Sequence, residues 1–189
     1  QIVVVLLLDS TIIFPEMYNY DARWYVCFFF FFNSTATTES YTLSLPDALP
    51  NSPGVETIGE LELIQYVEKM AGGDDSIVLI DSRTPDWVAK GTIPGAINLP
   101  WTKLNPSKGA DPISIAEILT GMFGARELEG LWDFSNVKTL VLFCNGMWCG
   151  QSPNNIENLL RFGYPADRIK WYRGGMQDWE ILGLSTEKP

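Results

Sequence analysis

The 189-residue chain contains no histidine. That absence excludes Ser-His-Asp and Cys-His hydrolases, imidazole general bases, His-Cys zinc sites and histidine pH switches together. Cysteine is scarce as well, with Cys27, Cys144 and Cys149 making three. An odd, small count is no disulfide framework. Cys144 and Cys149 alone offer too few ligands to close a tetrahedral zinc site. Positive charge is the third shortage: 13 Lys and Arg stand against 23 Asp and Glu, a formal net charge of −10. A chain so acidic repels phosphate backbones, so no nucleic-acid partner is expected. The chemistry left open is that of a thiol or a carboxylate, with no metal and no cofactor called for.

Long apolar runs are also few. The longest aromatic-apolar run near the start, Trp24–Phe32, has nine residues, about half of the roughly 20 that a bilayer-spanning helix needs. No membrane span is expected. No basic residue precedes Arg23, so the basic n-region of a secretory signal is missing. Residues 1–52 hold neither a helical nor a strand period for long. Within them, FFFFFNSTATTESYTLSLPDALPNS (28–52) resembles the peptide obtained when a sequencing-adapter read is translated onto the front of a metagenomic gene. The expectation is an artefactual or disordered leader over 1–52, without function, followed by one domain over 53–189. Cys27 falls in the leader. Such a leader hides any export signal, so a bacterial cytoplasm and a periplasm are equally open.

From Pro53 the pattern changes. Leu61, Ile64, Val67 and Met70 recur on what reads as one helix face, ended by Gly72-Gly73. Ser76–Asp81 (SIVLID), Ala96–Leu99, Thr139–Cys144 (TLVLFC) and Arg168–Tyr172 read as short, buried strands. Helical segments are expected around Pro85–Lys90, over Ile113–Phe123 and near Met176–Leu182, with 101–112 as a loop. Pro153–Phe162 reads as a helix with Ser152 as N-cap, Pro153 at the first position and Gly163 past its end. Unbroken apolar strands alternating with helices predict an α/β fold, a parallel sheet covered on both faces.

Reactive groups in such sheets collect at the carboxyl ends of strands. Cys144 ends the clearest strand and opens the loop CNGMWCGQS (144–152), which runs into the 153–162 helix. Gly146 and Gly150 free the backbone to turn its N–H groups toward one point, and the helix start adds about half a positive charge. A thiol held there is expected to ionise well below the free value of about 8.5. The bland readings are an inert core cysteine at Cys144, a loop thiol or reversible disulfide partner at Cys149, an ordinary strand-end ion pair at Asp81 and Arg83, and a lid over apolar surface at Trp148.

Four collinear segments over about residues 55–186 resemble the rhodanese (sulfurtransferase) domain. They are VLIDSR (Val78–Arg83), GTIPGAINLP (Gly91–Pro100), LFCNGMWCGQS (Leu142–Ser152) and WYRGGMQDWEILGL (Trp171–Leu184). The resemblance implies a rhodanese-like three-layer α/β/α fold with a five-stranded parallel sheet. It implies that Cys144 takes sulfane sulfur from a small donor as a persulfide, and that a thiol (of a small molecule or a protein) or cyanide removes it. Backbone amides of Asn145, Gly146, Met147, Trp148, Gly150, Gln151 and Ser152 would hold the anionic sulfur, with Asp81 and Arg83 as supporting residues.

Three departures qualify this expectation. Thr92 stands where the family carries histidine, a change expected to affect packing rather than chemistry. The loop lacks arginine, which predicts poor capture of small anions such as thiosulfate. It is also about two residues longer than the usual sulfurtransferase loop and contains a second thiol, so Cys149 is the resolving or alternative nucleophile. The Cys-x5-Arg loop of related phosphatases and arsenate reductases is not matched, since position 150 is glycine. The alternatives to a sulfurtransferase are a partner-binding module of weak catalytic power and a dithiol redox sensor.

Overall fold

The computed structural model of the protein describes residues 54–188. The reading of residues 1–52 as a leader, and Cys27 with it, lies outside the described residues. No described helix is long and apolar enough to cross a membrane.

The sheet is built from β1 (Glu56–Ile58), β2 (Ile77–Asp81), β3 (Ile97–Asn98), β6 (Thr139–Phe143) and β7 (Ile169–Tyr172). Their order across it is β1-β7-β6-β2-β3, and every pairing is parallel. In register, Asp81 at the end of β2 pairs with Phe143 at the end of β6. The two strongest sequence signatures therefore finish side by side at the carboxyl edge.

Both faces are covered, which is why the central strands carry no polar alternation. Leu140 and Leu142 point to one face with Val78, Ile80, Ile169 and Trp171. There they pack under α3 (Pro112–Glu117) and α4 (Gln151–Arg161), through Ile115, Ile156 and Leu159. Val141 and Phe143 point to the other face with Leu79 and Tyr172. That face is covered by α1 (Glu60–Ala71) and α5 (Gly175–Ile181), through Leu63, Met176 and Trp179. The result is the three-layer α/β/α arrangement with a five-stranded parallel sheet expected from the sequence.

Local departures have physical reasons. Leu61 is exposed, and Leu63 is the buried residue of α1. A three-residue step falls short of a full turn by about 60°, so a run of such steps walks around the helix. The expected 113–123 helix is α-helical only over Pro112–Glu117 and widens to a π-turn over Ile118–Met122. The 101–112 loop contains two 3-10 turns, Trp101–Leu104 and Pro106–Lys108. The short helix α2 spans Pro85–Val88. An antiparallel hairpin, β4 (Arg126–Leu128) and β5 (Leu131–Asp133), lies outside the main sheet and turns through Glu129 at φ 52.

Below the edge of β2 sits a buried ion pair. Arg83 donates from Nη2 to Asp81 Oδ2 at 2.6 Å and from Nε to Oδ1 at 2.9 Å. Its Nη2 also reaches the Gly91 carbonyl at 2.7 Å, and Thr92 Oγ1 donates to Asp81 Oδ2 at 2.7 Å. Thr92, in the position where the family carries histidine, thus completes the coordination of a buried carboxylate. A buried charge without its partner is costly. Arg83→Ala is expected to lower unfolding stability by about 3–5 kcal/mol, read by urea denaturation, while Arg161→Ala in an exposed i,i+4 pair shifts it by less than about 0.5 kcal/mol.

Candidate active site

The loop between β6 and α4 is held from three directions. Below it, Cys149 N–H donates to Gly146 O at 3.0 Å and closes a turn. Beside it, the segment entering α5 donates Met176 N–H to Cys144 O at 3.0 Å and Gln177 N–H to Asn145 O at 2.9 Å. The chain crosses so closely there that a Cβ on Gly175 would stand 2.5 Å from Cys144 O and 2.6 Å from Gly146 N. Gly175 also has φ 59, a left-handed conformation that favours glycine. From above, Trp148 Nε1 donates to Gln177 Oε1 at 2.8 Å, although the indole itself is exposed.

Helix α4 starts earlier than expected. Its N-cap is Gly150, so Ser152 is not a cap and Pro153 is the third helical residue. Pro153 costs no hydrogen bond there, because first-turn N–H groups have no helical partner. The Ser152 hydroxyl is occupied elsewhere: it donates to Cys144 Sγ at 3.1 Å and accepts from Trp171 Nε1 at 3.1 Å. The earlier start leaves Cys149 immediately before the cap, at the positive end of the helix dipole.

The two thiols have opposite environments. Cys144 is 2% exposed and Cys149 6%. The Cys144 thiol points inward and donates to the Cys149 carbonyl at 3.3 Å. Burial, reinforced by its neighbour Cys149, pushes the Cys144 thiol far up. Cys149 is lowered to about 6, first by the neighbouring Cys144 side chain, against the opposing effect of burial. Backbone N–H groups of Asn145 and Gln151 and the Asn145 side chain, with Nδ2 at 3.9 Å, add to the lowering. Burial opposes the acidity expected of Cys144 from the sequence, while the N–H groups of Asn145 and Gln151 favour the anion at Cys149. The loop amides are divided between two sulfurs, with the Ser152 N–H acting on Cys144.

The other candidate residues divide in the same way. Asn145 and Gln151 flank Cys149, with Cys149 Sγ 3.7 Å from Gln151 Oε1. Gly146 and Gly150 shape the turn and the cap. Met147 and Trp148 are exposed on the outside of the loop. Ser152 is fully buried on Cys144, and Asp81 and Arg83 form the ion pair under the neighbouring strand end. Gly175, Gln177 and Trp171 lie within the segment 171–184, but no sequence signal gave them contacts to the loop. The adjacent glycines Gly174-Gly175 were the available hint of a close crossing.

A rhodanese-like domain family model matches residues 63–182. The chain belongs to the rhodanese-like domain family. No curated protein matches it in sequence. Among solved structures, this rhodanese-like chain is similar to an uncharacterised protein of Saccharomyces cerevisiae, at 23% identity and TM-score 0.49, covering 69% of this chain and 95% of the other. It is similar to the BH2092 protein of Bacillus halodurans, at 20% identity and TM-score 0.49, covering 70% and 76%. It is also similar to the human single-domain sulfurtransferase TSTD1, at 20% identity and TM-score 0.45, covering 67% and 96%.

The thiolate is the reactive form of cysteine. Iodoacetamide labelling of Cys149 should therefore rise with pH through about 6 and level off by neutral pH, with Cys144 unlabelled, as read by peptide mass spectrometry. Gly175→Ala, which forces a side chain into the loop backbone, is expected to cost about 2 kcal/mol or more of stability. It should also return the Cys149 labelling midpoint toward about 8.5.

Proposed function

We propose that the protein is a single-domain sulfurtransferase or persulfide carrier in which Cys149 takes up sulfane sulfur. The observation that carries this reading is the place of Cys149, directly before the Gly150 cap of α4, with main-chain N–H groups of Asn145 and Gln151 favouring its anion. The Cys149 thiolate attacks the outer sulfur of a donor R–S–S⁻, forming the Cys149 persulfide and releasing RS⁻. A thiolate acceptor then attacks the outer persulfide sulfur and regenerates Cys149. No general base is needed, because the nucleophile is already ionised near neutral pH and the same N–H groups stabilise the persulfide anion.

The loop residues 144–152 contain no arginine. A singly charged donor such as a small-molecule persulfide is accordingly favoured over the dianion thiosulfate. A second reading, a partner-binding module of weak catalytic power, is favoured by one observation: Trp148 is 60% exposed at the top of the loop. Trp and Tyr are common anchors in protein interfaces.

Reduced protein incubated with polysulfide and trapped with an alkylating agent should carry one added sulfur on Cys149. Cys149→Ser should lower the loading rate on the order of 10³-fold or more, while Cys144→Ser still loads. A persulfide trapped on Cys144 in the Cys149→Ser protein would overturn the assignment, and absence of loading in every form would favour the binding module.

A further inference from the structure

We propose that Cys144 is a resolving thiol, which attacks the persulfide on Cys149 and expels its outer sulfur as hydrogen sulfide. The inference rests on Cys149 carrying the persulfide. It adds a second outcome for the bound sulfur, release as sulfide in place of transfer to an acceptor.

Two features of Cys144 support the role. The first is placement: Cys144 is the more deeply buried of the two thiols, and it lies against its loop neighbour, with its thiol 3.3 Å from the Cys149 carbonyl. Its accessible reaction partner is the neighbouring thiol of the same loop. The second is the hydroxyl of Ser152, which donates to Cys144 Sγ at 3.1 Å and is itself oriented by Trp171 Nε1. A donor fixed on a buried sulfur stabilises the negative charge that grows on it as it attacks. Transfer through Cys149 alone makes no use of this Trp171–Ser152–Cys144 chain.

The step balances without an external oxidant. Cys144–SH and Cys149–S–S⁻ give the Cys144–Cys149 disulfide and HS⁻. The bond between the two cysteine sulfurs forms, and the bond between Cys149 Sγ and the outer sulfur breaks. The Cys144 proton leaves with the sulfide. The Cys144 sulfur is oxidised by one electron, from −2 to −1, the outer sulfur is reduced by one, from −1 to −2, and the Cys149 sulfur stays at −1. A low-molecular-weight thiol or a protein dithiol then reopens the bridge by exchange, entering at the more exposed Cys149.

The test is anaerobic, so that oxygen cannot form the bridge. Reduced protein is loaded with polysulfide, freed of excess donor, and followed by sulfide release and intact mass with no thiol added. The wild type is expected to release one equivalent of sulfide and to finish two hydrogens lighter than the reduced protein. Cys144→Ser, with Cys144→Ala as a second variant should serine not suit the buried slot, is expected to retain the added sulfur and release at least tenfold less sulfide. A wild type that keeps its added sulfur as long as these variants do overturns the resolving role and leaves the carrier reading standing. If neither variant ever gains a sulfur on Cys149, the carrier reading fails and the resolving role fails with it.

Discussion

The site depends on a backbone crossing. Where the chain leaves β7 and turns into α5, Met176 and Gln177 N–H groups bond the carbonyls of Cys144 and Asn145, and Gly175 passes with no room for a side chain. These bonds fix the first two residues of a nine-residue loop whose remaining contacts are mostly internal. With its start anchored and its end capped by Gly150, the loop has little freedom in where it puts its sulfurs. Rigid placement is what allows a few N–H groups to act on a thiol, since dipoles already oriented need no reorganisation when charge develops.

A chain without histidine has few other ways to activate a nucleophile. Here the substitution is made twice, with different groups. At the end of β2, Thr92 supplies one hydrogen bond to the buried Asp81 carboxylate, whose charge is balanced by Arg83. At the end of β6, the Cys144 thiol donates to the Cys149 carbonyl, and the main-chain N–H groups of Asn145 and Gln151 favour the anion at Cys149. Two thiols this close titrate as a pair, so the first proton lost is shared between their environments.

The fold was legible because burial on both faces writes continuous apolar runs, as in Ile77–Asp81 and Thr139–Phe143. β1 escaped that reading since only Ile58 of its three residues is buried. The hairpin β4–β5 escaped because its residues are half-buried or exposed and carry no alternating pattern. Leu61 was misread from spacing alone, because a three-residue recurrence does not hold one helix face. Ser152 was misread as a cap because serine before proline commonly is one. Its hydroxyl instead serves Cys144, a partner eight residues back that no local rule brings near.

The sequence by itself determined the layered α/β frame, the family and the loop in which two thiols sit at a strand end. Those properties follow from patterns a few residues long, namely apolar runs, glycine positions and motif order. How the surroundings of the two thiols differ was decided by tertiary structure. Both cysteines share one loop and one dipole, so the difference arises from depth and from hydrogen bonds. Cys144 is turned into the core onto Ser152, while Cys149 is left at the helix head to receive the Asn145 and Gln151 N–H groups. Solvent access and N–H direction are properties of the packed chain, fixed only when β7 and α5 close on the loop.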